Sequence, residues 1–254
     1  MKKYIVANWK MNPSSLAEAE DILSYVDEHL KDGSKKADQS LIICPPFVFL
    51  DDMSKMLETS HLFEMAELGA QDIALADSGA WTGEVSGKML KRLKVKYVIV
   101  GHSERRWKMG ETDEIVNKKI KTVLANEMTP IVCVGERERG SDYKEFLKKQ
   151  IEKTFAGLSS DEIGKCMIAY EPVWAISTNP DAKPDTPESA LGSVEIIKEV
   201  LVSNFGISAS SLLFLYGGSI TASNAKSFLS LGGVAGVLVG SASVIKEEFV
   251  QILK

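Results

Sequence analysis

Cysteine and histidine are scarce in this chain, with three of each in 254 residues. Cys44, Cys133 and Cys166 lie far apart, without the close pairs of a metal site, and an odd number cannot fully pair within one chain. A disulfide framework has no support, and a reducing, cytoplasmic setting is expected. Positive charge is not in surplus either. Thirty Lys and Arg against 35 Asp and Glu leave a formal charge of -5, which argues against a nucleic-acid partner, because affinity for phosphate backbones needs a basic excess or stripe. Any anionic ligand must then meet a locally positive site. The first residues, Met1 to Asn8, hold an apolar run far shorter than a signal-peptide core, and nothing approaches the ~18 apolar residues of a membrane span. No membrane partner and no export are expected. Also missing are a dinucleotide glycine fingerprint in the first turn, a Walker lysine motif and a paired-histidine metal signature.

What the chain does have is a rhythm. Short, continuous apolar runs occur at residues 4–7, 41–44, 65–70, 97–100, 131–134, 167–170, 212–216 and 236–239. Such runs read as buried parallel strands. Between them lie longer stretches with helical spacing and charged faces, for example 16–30, 113–126, 143–155 and 188–202. Strand and helix alternate from end to end, which forces parallel strands with helical crossovers. Eight repeats can close into a single (β/α)8 barrel over residues 1–254, leaving no exposed sheet edge. An open, doubly wound sheet is the competing fold. The loosest segment, 177–187, carries three of the eight prolines, and reads either as a functional loop or as a plain surface connection.

In a β/α barrel the active site lies at the C-terminal ends of the strands, and the notable polar residues gather there. After the first run comes Asn8-Trp9-Lys10-Met11-Asn12, in which Lys10 can attract a phosphorylated substrate or simply be solvated. After the fourth comes Gly101-His102-Ser103-Glu104-Arg105-Arg106. His102 can polarise a carbonyl, and Glu104 can pair with an arginine or orient Lys10; the plain alternative is a buried histidine beside a structural ion pair. After the sixth, Glu171 precedes Pro172 and Trp174, so a water-excluding loop can raise its basicity, while a solvated glutamate is the alternative. Gly217-Gly218-Ser219 and Gly240-Ser241-Ala242-Ser243 follow runs seven and eight. The second of these opens the last helix on this reading, and together they can cradle a phosphate. Lysine and histidine near a carbonyl, one carboxylate base and a phosphate cradle point to proton transfer alpha to a carbonyl, with no metal and no cofactor required. A Schiff-base aldolase is less attractive, because the sixth run ends in Glu171 rather than a lysine.

Asn8-Trp9-Lys10-Met11-Asn12, Gly101-His102-Ser103-Glu104-Arg105-Arg106 and Tyr170-Glu171-Pro172-Val173-Trp174-Ala175-Ile176 closely resemble the signatures of the triosephosphate isomerase family. Ala70-Gln71, Gly79-Ala80-Trp81-Thr82-Gly83-Glu84, Cys133-Val134-Gly135-Glu136 and Tyr216-Gly217-Gly218-Ser219 also fit in order. The resemblance implies a TIM barrel acting in glycolysis and gluconeogenesis on glyceraldehyde 3-phosphate and dihydroxyacetone phosphate. It implies Glu171 as the base, His102 and Lys10 as stabilisers of an enediolate, and Asn8 among the oxyanion contacts. Ser177, Gly217, Gly218, Ser219, Gly240 and Ser241 would hold phosphate, with Glu104, Ser103, Cys133 and Thr82 in support. A homodimer is implied as well, in which the loop bearing Thr82 enters the neighbour's site with Trp81 at its tip.

The chain departs from the family at two places. Where Ala-Ile-Gly-Thr-Gly-Lys is common, it reads Ala175-Ile176-Ser177-Thr178-Asn179-Pro180, with a slightly longer segment after it, so altered hinge behaviour is expected. Ser241 stands where a second glycine is usual, and its hydroxyl either adds a phosphate contact or crowds the oxygen. Two other readings stay open at this level: a noncatalytic phosphate- or partner-binding barrel, and an isomerase acting on a longer phosphorylated aldose.

Overall fold

The eight apolar runs become eight parallel strands: β1 (Lys3–Asn8), β2 (Gln39–Cys44), β3 (Ala66–Ala70), β4 (Tyr97–Val100), β5 (Thr129–Val134), β6 (Met167–Tyr170), β7 (Leu213–Tyr216) and β8 (Gly236–Val239). The structure is a computed structural model that describes residues 2–30, 38–177 and 182–254. Each strand pairs with the next in sequence, and β8 returns to β1 with Tyr4 opposite Gly236 and Ala7 opposite Val239. The sheet is thus a closed barrel, and the open-sheet alternative falls away.

Ten α-helices lie among the described residues: α1 (Leu16–His29), α2 (Leu50–Thr59), α3 (Gly87–Arg92), α4 (Ser103–Lys108), α5 (Asp113–Ala125), α6 (Tyr143–Thr154), α7 (Ser160–Gly164), α8 (Pro187–Phe205), α9 (Ala225–Leu229) and α10 (Lys246–Leu253). Their starts follow from local chemistry. Side-chain oxygens of Ser15, Thr112 and Thr186 accept N–H groups that the first turns of α1, α5 and α8 leave unpaired. Helix α8 also has Pro187 in its first turn and ends at Gly206, whose φ of 65° suits glycine. The last helical residue, Phe205, lies three residues beyond the helix expected from spacing alone.

The core has two parts. Val6, Ile42, Ile99, Ile131, Met167 and Leu215 fill the inside of the barrel, and a larger cluster lies between strands and helices. Strands buried on both faces need apolar side chains at every position, which explains why the runs are continuous rather than alternating. Among the described residues no helix is long and apolar enough to cross a membrane.

Candidate active site

Side chains alternate across a strand with a period of two, and this decides what reaches the barrel mouth. On β1, Tyr4 and Val6 belong to the interior cluster, so the next inward residue is Asn8. By the same count Met167 and Ala169 lead to Glu171, Leu213 and Leu215 to Gly217, and Leu238 to Gly240. These four residues, with Lys10, His102, Ser177, Gly218, Ser219 and Ser241, line one cavity of about 110 Å³. Apolar packing below thus sets the height of the polar groups above.

Lys10 is placed by a strained backbone. Its φ of 56° is left-handed, a conformation that costs a residue with a Cβ roughly 1–2 kcal/mol. Hydrogen bonds hold it there: its N–H donates to Asn8 Oδ1 at 3.0 Å, and its carbonyl accepts from Gln71 Nε2 at 2.7 Å. Gln71 donates also to the Cys44 carbonyl at 2.9 Å, tying the ends of β1 and β2 to the loop after β3. Lys10 Nζ donates to Glu104 Oε1 at 2.9 Å. Burial pushes the Glu104 carboxyl up, but Lys10 and the neighbouring positive groups outweigh it and hold the carboxyl below its ordinary value. Gly240 lets the lysine pass, since a Cβ at that position would lie 3.3 Å from Lys10 Cε.

His102 caps α4. Its Nδ1 accepts the Glu104 N–H at 3.2 Å, a bond open only to a ring without a proton on Nδ1. The ring proton therefore sits on Nε2, which is 3.0 Å from Glu171 Oε1. Glu171 is 2% exposed, and its Oε2 accepts the Ser103 N–H at 2.8 Å. Burial alone would raise its carboxyl; the His102 ring, the Ser103 N–H and the Lys10 ammonium together hold it below the ordinary glutamate value. Turning off the Ser103 N–H would make the same carboxylate a stronger base. Gly217 makes room, because a Cβ there would sit 2.9 Å from Glu171 Cγ. Cys133 ends the inward series of β5 beside Glu171, and burial followed by that negative charge pushes its thiol well up.

At the far side of the cavity, the Ser177 N–H donates to Ser219 Oγ at 2.7 Å, and Ser219 Oγ donates to the Ala175 carbonyl at 2.9 Å. One hydroxyl thus ties the residues after β7 to the segment after β6. Ser241 does not open the last helix as expected. Residues Ser241–Ser243 form a separate 3-10 turn, closed by Ser243 donating to the Gly240 carbonyl through N–H at 2.9 Å and Oγ at 2.7 Å, and α10 begins at Lys246. The N–H groups facing the cavity belong to that turn.

The expected catalytic and phosphate-binding residues line this cavity, and Ser103, Glu104 and Cys133 stand behind it against Glu171 and Lys10, whereas Thr82 lies in the exposed stretch 78–84 after β3. Thr178, Asn179 and Pro180 of the departing motif lie outside the described residues. Sequence reading passed over the polar cluster beneath Trp174: Glu136 Oε1 accepts from Tyr170 Oη at 2.9 Å, Trp174 Nε1 at 2.9 Å and Arg139 Nη1 at 2.7 Å. The available signal was the carboxylate of Glu136 following Gly135 at the mouth of β5. Gln71 was also missed as a positioning group.

The family profile described as triosephosphate isomerase matches residues 3–254. The chain belongs to the triosephosphate isomerase family. Curated triosephosphate isomerases from Thermoanaerobacter pseudethanolicus, Alkaliphilus oremlandii and Carboxydothermus hydrogenoformans are 38%, 39% and 41% identical to it. Each alignment covers 100% of this chain and 99%, 99% and 98% of the respective relative. The closed barrel is the fold expected of a triosephosphate isomerase, and the match leaves no large part of those relatives outside it.

Proposed function

We propose that the chain interconverts D-glyceraldehyde 3-phosphate and dihydroxyacetone phosphate through an enediolate. The observation that carries this reading is the meeting of the Glu171 carboxylate, the His102 Nε2–H and the Lys10 ammonium at one cavity. Glu171 takes a proton from one carbon and returns it to the neighbouring carbon. His102 donates a hydrogen bond to the substrate oxygen as charge develops there and carries the hydroxyl proton from one substrate oxygen to the other, while Lys10 and Asn8 stabilise the same charge. The step begins and ends with the same electrons and protons, so it calls for neither a metal nor a cofactor.

In this reading Glu104 aims Lys10, Ser103 parks the base between turnovers, and Cys133 packs beneath it. Backbone N–H groups of Ser177, Ser219, Gly218, Gly240 and Ser241, with Gly217 giving close approach, take the phosphate. Exposed Met11, Val48 and Trp81, on the loops after β1, β2 and β3, support a homodimer face in which Thr82 serves the partner's site. A cytoplasmic setting fits three unpaired, buried cysteines.

The test is turnover of glyceraldehyde 3-phosphate in a coupled assay. Glu171→Gln conserves shape but removes basicity, so kcat is expected to fall by at least about 100-fold. A variant close to wild type would reject Glu171 as the base.

A further inference from the structure

Ser177 donates its N–H to Ser219 Oγ at the cavity, and the Trp174 carbonyl, three residues before it, accepts the Lys183 N–H at 3.1 Å. Where Trp174 sits therefore bears on both Ser177 and Lys183. The indole is held through Nε1 on Glu136 Oε1. Glu136 is 1% exposed, and its second oxygen has no hydrogen-bond partner among the described residues. A carboxylate buried to this degree keeps its charge and place only with a partner of opposite sign. Among the described residues, the cation paired with it is Arg139.

Arg139 does more than neutralise. Its Nη1 donates to Glu136 Oε1 at 2.7 Å, to Tyr170 Oη at 3.1 Å and to Ser193 Oγ at 2.8 Å, while Nη2 donates to Ser189 Oγ at 3.1 Å. The guanidinium carbon also lies 3.9 Å from the Tyr143 ring centroid and 5.6 Å from that of Trp174. One planar fork thus joins the end of β6, the turn bearing Trp174 and the first turns of α8. Those two elements flank the segment that presents Ser177. A lysine cannot reproduce this, since a single ammonium cannot span both sides of the fork.

We infer that Arg139 is a positioning residue for phosphate binding, acting through Glu136 and Trp174 to hold the Ser177 N–H at the cavity beside Ser219. It rests on the isomerase reading only for its substrate readout. Without the guanidinium, which pins the Glu136 carboxylate through Nη1 and packs beside the Trp174 ring, the carboxylate and the indole bonded to it lose their fixed place. The Ser177 N–H then loses its fixed distance to the phosphate oxygens, while Glu171, His102 and Lys10, held by separate bonds, keep theirs. Binding should suffer more than chemistry.

The experiment compares wild type, Arg139→Ala and Arg139→Lys for KM, kcat and competitive inhibition by inorganic phosphate. Phosphate binding is titrated separately on Trp174 fluorescence, taken as the difference from Trp174→Phe. For Arg139→Ala, KM and the phosphate inhibition constant should rise about tenfold, with a smaller change in kcat. Added guanidinium at millimolar concentration should restore binding, whereas ammonium should not. Arg139→Lys should show the same loss, and it carries the test if the alanine variant does not fold. Phosphate affinity and KM within about twofold of wild type in either folded variant would overturn the inference. If the wild type binds phosphate but does not isomerise triose phosphate, the isomerase reading fails and the fluorescence titration still decides the role of Arg139.

Discussion

Glu171 is held in a resting arrangement that works against its basicity, and a single backbone N–H accounts for part of it. Ser103 is the first residue of α4, a position that tolerates proline, and His102 before it has φ -52° and ψ 142°, the extended geometry that a following proline requires. Ser103→Pro therefore removes the N–H on Glu171 Oε2 with little strain. Losing a bond to the charged form raises the carboxyl pKa, so the acid limb of kcat/KM, read from a pH profile, should move to higher pH. The sign for stability runs the same way. A depressed folded-state value contributes stability above the unfolded glutamate pKa, and that contribution is lost as pH falls through the folded value. Ser103→Pro should thus lose this contribution above the unfolded value and narrow the gap with wild type in acid. Glu171, His102 and Lys10 were legible in the sequence because each falls just past the end of an apolar run. Arg139 was not, because its partners Ser189 and Ser193 lie 50 and 54 residues away and no local pattern brings them together.

At the level of elements, the loop after β3 is fastened to α4 and α5 by a buried ionic cluster. Lys119 Nζ lies 2.6 Å from Asp72 Oδ1 and 2.5 Å from Glu111 Oε1, and Arg105 reaches Asp72 at 2.8 Å and Glu111 at 2.6 Å. Two cations balance two carboxylates, with Lys119, Asp72 and Glu111 each less than a tenth exposed. Lys119→Met keeps the volume but leaves one guanidinium against two carboxylates. Chemical denaturation should show a loss of about 3–5 kcal/mol. A loss under about 1 kcal/mol would mean the cluster is nearly neutral to folding. Four long helices were visible from spacing and caps. The short α3, α4, α7 and α9 were not, because five or six residues cannot display a helical period; they exist through packing on the barrel rather than through propensity.

For the whole molecule, three of the large apolar residues left exposed share one part of the barrel rim. Met11 is 93% exposed, Val48 77% and Trp81 50%, on the loops after three adjacent strands. Trp81→Asp places a charge in the proposed contact, so sedimentation should shift from dimer to monomer, with activity falling if Thr82 completes the partner's site. An unchanged sedimentation coefficient would reject this face as a dimer contact. The eight strands were readable from eight runs, and their closure was legible through the family resemblance, since runs alone are consistent with an open sheet. The bond between β8 and β1 is what decided it, and it also imposes an order on synthesis. Asn8 and Lys10 leave the ribosome long before Gly240, against which the lysine lies. Until that glycine arrives, β1 has an unsatisfied edge and the lysine no wall to rest on. A nascent chain must therefore shelter one open edge of β1 until β8 has been made, and no complete reactive centre exists before then.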